Sequence, residues 1–118
     1  MDVSFILSDD ELFTLLSVSE EKSEAGQIFL EKALDGAKLC DLKGLVEKNL
    51  ARFIDDELEL ESVIGMIVEV ISKSESAELR DECWYIRSDP VDVLCENYQY
   101  NEGHRKVTPV RKKEDLRV

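Results

Sequence analysis

The sequence CWYIRSDPVDVLCE, residues 83–96, is the stretch that decides the fold. Residues 83–87 and 91–96 are rich in the β-branched and aromatic residues that favour strands. The Ser-Asp-Pro sequence at residues 88–90 is typical of a turn. Because so short a connection joins antiparallel neighbours, these segments predict a pair of adjacent antiparallel strands.

A third strand is predicted over residues 105–111, after a second turn at residues 101–103. Pro109 has no backbone N–H to donate to a neighbouring strand, which predicts that this strand lies at an edge of the sheet. The three segments together predict a three-stranded antiparallel β-meander near the C-terminal end of the sequence.

Toward the N-terminus, the spacing of apolar residues lengthens to three and four, which predicts helices. The longest predicted helix spans residues 57–74, with Asp55 or Asp56 as its N-cap. Shorter helices are predicted over residues 24–34 and 38–46, where apolar residues recur at helical spacings.

A capping box predicts the first helix, with Ser8 as the N-cap and Glu11 as the third helical residue. The apolar residues 3–7 before it fit either a short strand or a hydrophobic staple, and residues 50–54 fit either a strand or a helix. Helices followed by strands predict a single α+β domain over residues 1–118, with N-terminal helices packed on a C-terminal three-stranded antiparallel β-meander.

The composition is strongly acidic, with 15 Lys and Arg against 27 Asp and Glu and a formal net charge of −12. Such a chain repels phosphate backbones and anionic lipids, which argues against nucleic-acid binding and membrane docking. The N-terminus lacks the features of a signal peptide, and the apolar stretch at residues 63–71 is too short to span a bilayer. These features predict a soluble cytoplasmic protein whose three cysteines, with no C-x-x-C spacing, stay reduced.

Residues suited to catalysis are sparse in the sequence. The one histidine, His104, lies in a predicted turn, the five glycines are scattered, and no zinc-ligand spacing occurs. Adjacent acidic residues occur at positions 9–10, 20–21, 55–56 and 81–82, but so acidic a composition produces such pairs by chance. We therefore predict no enzymatic activity, no cofactor and no metal, and keep a carboxylate-based hydrolase or metal enzyme as the least favoured alternative.

Four aromatic residues in or near the predicted meander are candidate partner-binding residues: Trp84, Tyr85, Tyr98 and Tyr100. Trp84 and Tyr85 are adjacent in one strand, so they point to opposite sides of the sheet, one toward the core and the other toward a candidate contact surface. Trp and Tyr are favoured anchors of protein interfaces, because they bury a large area and still carry a polar group.

Four segments occur in a suggestive order: Leu-Ser-Asp-Asp-Glu-Leu at residues 7–12, Lys-Gly-Leu-Val at 43–46, an apolar helix at 62–68, and Trp-Tyr-Ile at 84–86 before an Asp-Pro turn and a meander. This order resembles one half of the EspG-like proteins, the cytoplasmic chaperones of type VII (ESX) secretion. It is also similar to smaller secretion-associated proteins encoded in Gram-positive type VII clusters.

The resemblance covers residues 5–118 and implies an antiparallel sheet with flanking helices. It also implies a protein of two similar halves that binds helical hairpin substrates before export. The chain is shorter than such two-half proteins, and no substrate-binding residue can be carried over. Residues 111–118 predict the start of an amphipathic helix with no stop signal, which agrees with a natural chain that continues beyond Val118; a natural frayed tail is the alternative.

The first functional hypothesis is a non-enzymatic adaptor or chaperone that covers the apolar surface of a helical secreted partner with its sheet face and loops. The alternative is an acidic immunity or inhibitor protein that binds a basic toxin, because a net charge of −12 favours fast, salt-sensitive association. A homodimer is a further candidate partner, because a three-stranded sheet exposes two edges.

Overall fold

The computed structural model describes residues 4–19, 21–41, 43–100 and 102–110. The strands within these residues are β1 Phe5–Ser8, β2 Ala51–Ile54, β3 Glu57–Leu60, β4 Ser76–Arg80, β5 Cys83–Arg87, β6 Asp92–Asn97 and β7 His104–Val110. The helices are α1 Asp9–Ser17, α2 Glu24–Ala33, α3 Lys43–Glu47 and α4 Ser62–Ser72. The predicted helix at residues 111–118 lies outside the described part.

The α+β class is confirmed, but the elements are interleaved in the order β1–α1–α2–α3–β2–β3–α4–β4–β5–β6–β7. Five strands form one antiparallel sheet in the order β1–β7–β6–β5–β4. The predicted meander is present as β5, β6 and β7. Two predictions are wrong: that the sheet has three strands, and that the chain divides simply into N-terminal helices and C-terminal strands. The strand β4 extends the sheet at one edge, and β1 extends it at the other.

The prediction that Pro109 places its strand at an edge is wrong, because β7 lies between β1 and β6. The N–H of Tyr98 donates to the carbonyl of His104 at 2.9 Å, so His104 and every second residue after it bond to β6, and Pro109 faces the β1 side. The described pairing of β1 ends where Phe5 lies opposite Val107. Pro109 therefore removes no hydrogen bond between β7 and β6.

The predicted long helix begins later than expected. Its first predicted residues form β3, which pairs with β2, the segment that fitted either a strand or a helix, in a separate two-stranded hairpin. Asp55 and Asp56 are not the N-cap of this helix but form the hairpin turn, with positive φ values of 50° and 65°. Glu61 caps α4 instead, because its carboxylate accepts two first-turn N–H groups at 3.0 Å.

The capping box of α1 is confirmed. Ser8 Oγ accepts the N–H of Glu11 at 3.0 Å, and Glu11 Oε1 accepts the N–H of Ser8 at 2.9 Å. Lys48 Nζ adds an ion pair to Glu11 Oε1 at 2.8 Å. Burial acts to raise the pKa of Glu11, but the hydrogen bonds from Lys48 and Ser8 outweigh it, so this pKa lies below its ordinary value.

The helix predicted over residues 38–46 is present only as α3. Ahead of α3, acceptors on two α1 side chains bind backbone N–H groups of the segment. The hydroxyl of Thr14 accepts the N–H of Cys40 at 2.9 Å, and Asp10 Oδ1 accepts the N–H of Lys38 at 3.0 Å. These contacts tie the segment before α3 to α1.

The hydrophobic core lies between the helices and one face of the five-stranded sheet. Phe29 of α2 meets Trp84 of β5 edge to face, with ring centroids 5.5 Å apart. The buried residues of the central strands alternate along the chain: Trp84, Ile86, Val93, Cys95 and Val107. The residues between them in these strands point to the other face of the sheet and are exposed or half-buried. The described helices therefore cover one face of the sheet and leave the other uncovered.

The start of α2 packs against the end of α4. The N–H of Ser23 donates to the carbonyl of Ser72 at 2.7 Å, and Ser23 Oγ donates to the carbonyl of Ser74 at 2.7 Å. Gly26 approaches α4 so closely that a Cβ atom there would lie 2.7 Å from the Ser72 oxygen. The positive end of α2 thus meets the negative end of α4, which stabilises the junction.

Candidate protein-binding surface

The uncovered side of the five-stranded sheet is the candidate interaction surface, which we call the open face. By strand register its members include Ile6, Glu78, Arg80, Cys83, Tyr85, Arg87, Asp92, Leu94, Glu96, Lys106, Thr108 and Val110. Tyr85 lies opposite Leu94, and Leu94 lies opposite Thr108, so these three residues form a row across the central strands.

A shallow depression of about 400 Å³ lies on the open face. Apolar groups from Tyr85, Leu94 and Val110 line it, and the side chains around them are charged: Glu78, Arg80, Arg87 and Asp92. Tyr85 is 43% exposed although it lies in an inner strand. An apolar centre with a charged rim is the usual anatomy of a protein-binding surface.

Arg80 fixes one side of the Tyr85 ring. Its guanidinium lies 5.4 Å from the ring centroid, and its Nη2 pairs with Glu78 Oε2 at 2.6 Å. A cation over an aromatic face is attracted by the ring quadrupole. The ion pair and the ring contact together hold three side chains of the open face in one arrangement.

Charge on the open face is balanced, unlike the charge of the whole chain. Three basic side chains accompany three acidic ones: Arg80, Arg87 and Lys106 with Glu78, Asp92 and Glu96. The strand register brings Glu96 opposite Lys106. A balanced face favours contacts decided by shape and local pairing rather than by long-range attraction.

The four candidate aromatic residues do not form one cluster. Trp84 is buried against Phe29, and Tyr85 points to the open face. Tyr98 and Tyr100 pack on each other in the turn between β6 and β7, with ring centroids 5.4 Å apart, and Tyr100 is 77% exposed. Tyr98 is four residues beyond Leu94, or about 13 Å along the strand.

Two apolar members of the open face, Leu94 and Val110, were not among the sequence candidates. Leu94 could have been found by extending the alternation of buried residues through β6, because it lies between the buried Val93 and Cys95. The signal for Val110 is weaker, since it ends its strand beyond Pro109.

The β2–β3 hairpin is a second exposed feature that the sequence candidates missed. Phe53 is 56% exposed and Ile54 is also exposed, immediately before the acidic turn of Asp55 and Asp56. Arg52 and Glu59 pair across its strands at 2.9 Å. No described strand of the five-stranded sheet pairs with this hairpin.

A groove of about 540 Å³, which we call the edge groove, lies between α2 and β4. Ile28, Leu79 and Trp84 contribute apolar surface, and Lys32 and Arg105 contribute positive charge. Arg105 is already engaged, because its Nε donates to an Asp9 oxygen at 2.8 Å and its Nη2 donates to the Ala33 carbonyl at 2.7 Å. Arg105 therefore ties β7 to the start of α1 and the end of α2.

The cysteines do not offer an activated thiol on the open face. Burial and the nearby Glu96 raise the pKa of Cys83, and burial raises the pKa of Cys95 to about 12. All three cysteines are free. Among the described residues, no group of three or more His, Cys, Asp or Glu side chains is placed to hold a metal ion.

Comparison of the sequence with protein-family models gives no match, and comparisons with curated proteins and with solved structures give no significant match. In the described part of the chain, no helix has the length and apolar character needed to cross a membrane. The geometry of the surface therefore carries the functional argument.

Proposed function

We propose that this protein is a non-enzymatic cytoplasmic adaptor or chaperone that binds a helical protein partner on its open face. The observation that carries the proposal is the apolar depression formed by Tyr85, Leu94 and Val110 within a charged rim. Its position on a sheet face that the described helices leave uncovered supports the same function. The resemblance to the EspG-like chaperones supports a secreted helical substrate, and type VII secretion is the setting that we propose.

The dimensions of the open face suit a helix. Five strands at about 4.8 Å spacing give a face about 19 Å wide, which matches a helix of about 13 residues at 1.5 Å per residue. A helix of this length presents an apolar stripe of three to four turns. Leu94 and Tyr85 would contact that stripe, and the charged side chains around them would meet its polar borders.

The partner would be masked rather than chemically changed. The apolar stripe of a secreted helical protein aggregates when it is exposed, and covering it removes that surface from water. The net charge of −12 would keep the complex dispersed through mutual repulsion of like-charged particles. Because the open face is charge-balanced, the affinity should depend only weakly on salt.

A second candidate function, inhibition of a basic protein, rests on the β2–β3 hairpin. This hairpin presents the exposed Phe53 and Ile54 beside three exposed acidic residues, Asp55, Asp56 and Glu57. An aromatic anchor flanked by carboxylates suits a basic target, such as the nucleic-acid-binding site of a toxin. Here the association rate should fall steeply as salt increases.

The two functions can be separated with two matched variants. The chain is immobilised and used to capture proteins from its native cytoplasm, with Leu94→Lys on the open face and Phe53→Lys on the hairpin in parallel. Each variant places the same charged side chain at an exposed or half-exposed apolar position. Circular dichroism and thermal unfolding confirm that both variants fold as the parent does.

Capture of a helical protein that is lost with Leu94→Lys and kept with Phe53→Lys supports the adaptor. Loss of a central apolar anchor should weaken binding by about 30-fold or more. A basic protein lost with Phe53→Lys alone supports the inhibitor. A partner that binds both variants as tightly as the parent overturns both proposals.

A further inference from the structure

The strand β4 forms one edge of the five-stranded sheet, and no described strand pairs with its outer side. The β4–β5 turn has two residues, Asp81 and Glu82, with φ values of 50° and 66°. In such a turn the flanking residues, Arg80 and Cys83, are the closing hydrogen-bonded pair. Leu79 therefore points its backbone N–H and C=O away from β5, where they can receive another strand.

The side chains of β4 make this edge self-complementary. Glu78 and Arg80 have opposite charges and lie on the open face, on either side of Leu79. Leu79 is on the other face and is 57% exposed, and it lines the edge groove together with the exposed Ile28. The edge thus combines free backbone groups, an exposed apolar residue and two opposite charges.

We propose that two copies of this chain pair through β4, antiparallel, about a two-fold axis at Leu79. In this register Glu78 of each copy lies opposite Arg80 of the second copy, so the ion pair within each chain is joined by two cross-strand ion pairs on the open face. The two Leu79 side chains meet on the helical face, where Ile28 of each copy flanks them. This inference concerns the β4 edge of the sheet, where Glu78 and Arg80 also belong to the rim of the open face, and it does not depend on the proposed function.

Charge selects this register over its neighbours. An axis at Glu78 would place the two Glu78 carboxylates directly opposite each other, and like charges in that position are destabilising. An axis at Ala77 would place Glu78 opposite Ser76 and leave Arg80 unpaired by the second copy. The axis at Leu79 is the one of these three that pairs both charges with opposite charges.

The other sheet edge lacks this complementarity. The strand β1 has the sequence FILS and carries no charged side chain, so nothing comparable fixes a register there. Pairing through β4 would join two five-stranded sheets into one continuous sheet of ten strands. It would also remove an exposed edge, which is a site of uncontrolled association in an unpaired sheet.

Sedimentation at increasing protein concentration and physiological ionic strength tests the proposal. The parent chain should form a dimer. Glu78→Arg and Arg80→Glu should each weaken it by about tenfold to a hundredfold, because each replaces two attractive contacts by two repulsive ones. The double variant Glu78→Arg/Arg80→Glu reverses both charges and should restore the dimer.

Mixing the two single variants gives the strictest outcome. One then supplies two arginines and the other two acidic residues, so the mixture should form a heterodimer that neither variant forms alone. Arg52→Glu on the β2–β3 hairpin is the matched charge control and should dimerise as the parent does. The proposal is overturned by any of three results: a monomeric parent, single variants that dimerise like the parent, or a mixture that stays monomeric. Circular dichroism checks that every variant folds as the parent does.

Discussion

Replacing Gly26 by alanine tests the close approach of α2 and α4. A Cβ atom at this position would lie 2.7 Å from the carbonyl oxygen of Ser72 and 2.8 Å from that of Ile71. Both oxygens belong to backbone, which cannot rotate away as a side chain can. The helices must therefore separate, and the 2.7 Å hydrogen bond from the Ser23 N–H to Ser72 must lengthen.

The expected cost follows from these contacts. Overpacking of a tight contact costs about 1–3 kcal/mol, and weakening the hydrogen bond at the junction adds about 1 kcal/mol. Alanine is favoured over glycine within a helix by about 1 kcal/mol, which offsets part of the cost. We expect Gly26→Ala to lower the free energy of unfolding by about 1–3 kcal/mol.

Urea unfolding followed by Trp84 fluorescence measures this change. Trp84 is the one tryptophan of the chain, and it packs on Phe29, which lies in α2 together with Gly26. Gly65→Ala is the matched control, since a Cβ atom there meets only Leu60 Cβ at 3.7 Å, an ordinary contact. The control should raise stability by up to about 1 kcal/mol. A Gly26→Ala variant at least as stable as the parent would refute the close helix approach.

Three further predictions concern titration and buried charge. Because the pKa of Glu11 is lowered, its ionised carboxylate stabilises the fold above the ordinary value of 4.5, and this stabilisation is lost as pH falls through the pKa of the folded state. The thermal unfolding temperature of Glu11→Gln should therefore lie below that of the parent at neutral pH and match it in acid. Cys95, with its pKa raised to about 12, should not be alkylated by iodoacetamide at neutral pH until the chain unfolds. Peptide mass spectrometry checks this, and labelling of Cys95 in the folded chain would contradict it. Arg105→Met should lower the free energy of unfolding by about 1–3 kcal/mol, because Asp9 and the Ala33 carbonyl lose their donor. Urea unfolding checks this, with Arg105→Lys expected to recover only part of the loss.

The two hairpin turns explain most of the errors in predicting the fold. Asp55-Asp56 and Asp81-Glu82 occupy the left-handed region, which Gly, Asn and Asp adopt more readily than other residues and which costs a residue such as Glu82 about 1–2 kcal/mol. Without a glycine, the first pair resembles a helix cap, and both resemble chance acidic clusters. Once the first turn was missed, the alternating ELEL of β3 merged with the helical pattern of α4.

Elements whose signal lies in their own residues could be predicted. The start of α1 follows from its capping box, and β5 and β6 follow from their strand-favouring residues around a Pro-containing turn. The strand β4 has no such signal, because SAELR has weak strand propensity and is held by its pairing with β5. The pairing of β1 with β7 joins residues at opposite ends of the chain, and no local pattern encodes it.

Of the three apolar residues that form the depression on the open face, only Tyr85 was among the residues predicted from the sequence. The pleat alone places Trp84 and Tyr85 on opposite sides, but which one points outward depends on the side that α2 covers through Phe29. The partnership of Tyr85 with Leu94 depends on the register across the turn at residues 88–91. That register is a property of turn geometry, which the residue types there leave undetermined.

Charge-reversal variants can distinguish two causes of a change in the proposed dimer: local ion pairing across β4 and overall repulsion between the two chains. Two chains with a net charge of −12 repel each other, so a variant that acts only through net charge has a predictable sign. Glu78→Arg makes the chain less acidic and would then strengthen the dimer, whereas Arg80→Glu would weaken it. Pairing about Leu79 instead requires both variants to weaken it. The double variant keeps the parent's net charge, so both causes predict that it dimerises as the parent does. The direction of the Glu78→Arg effect therefore decides between the two causes.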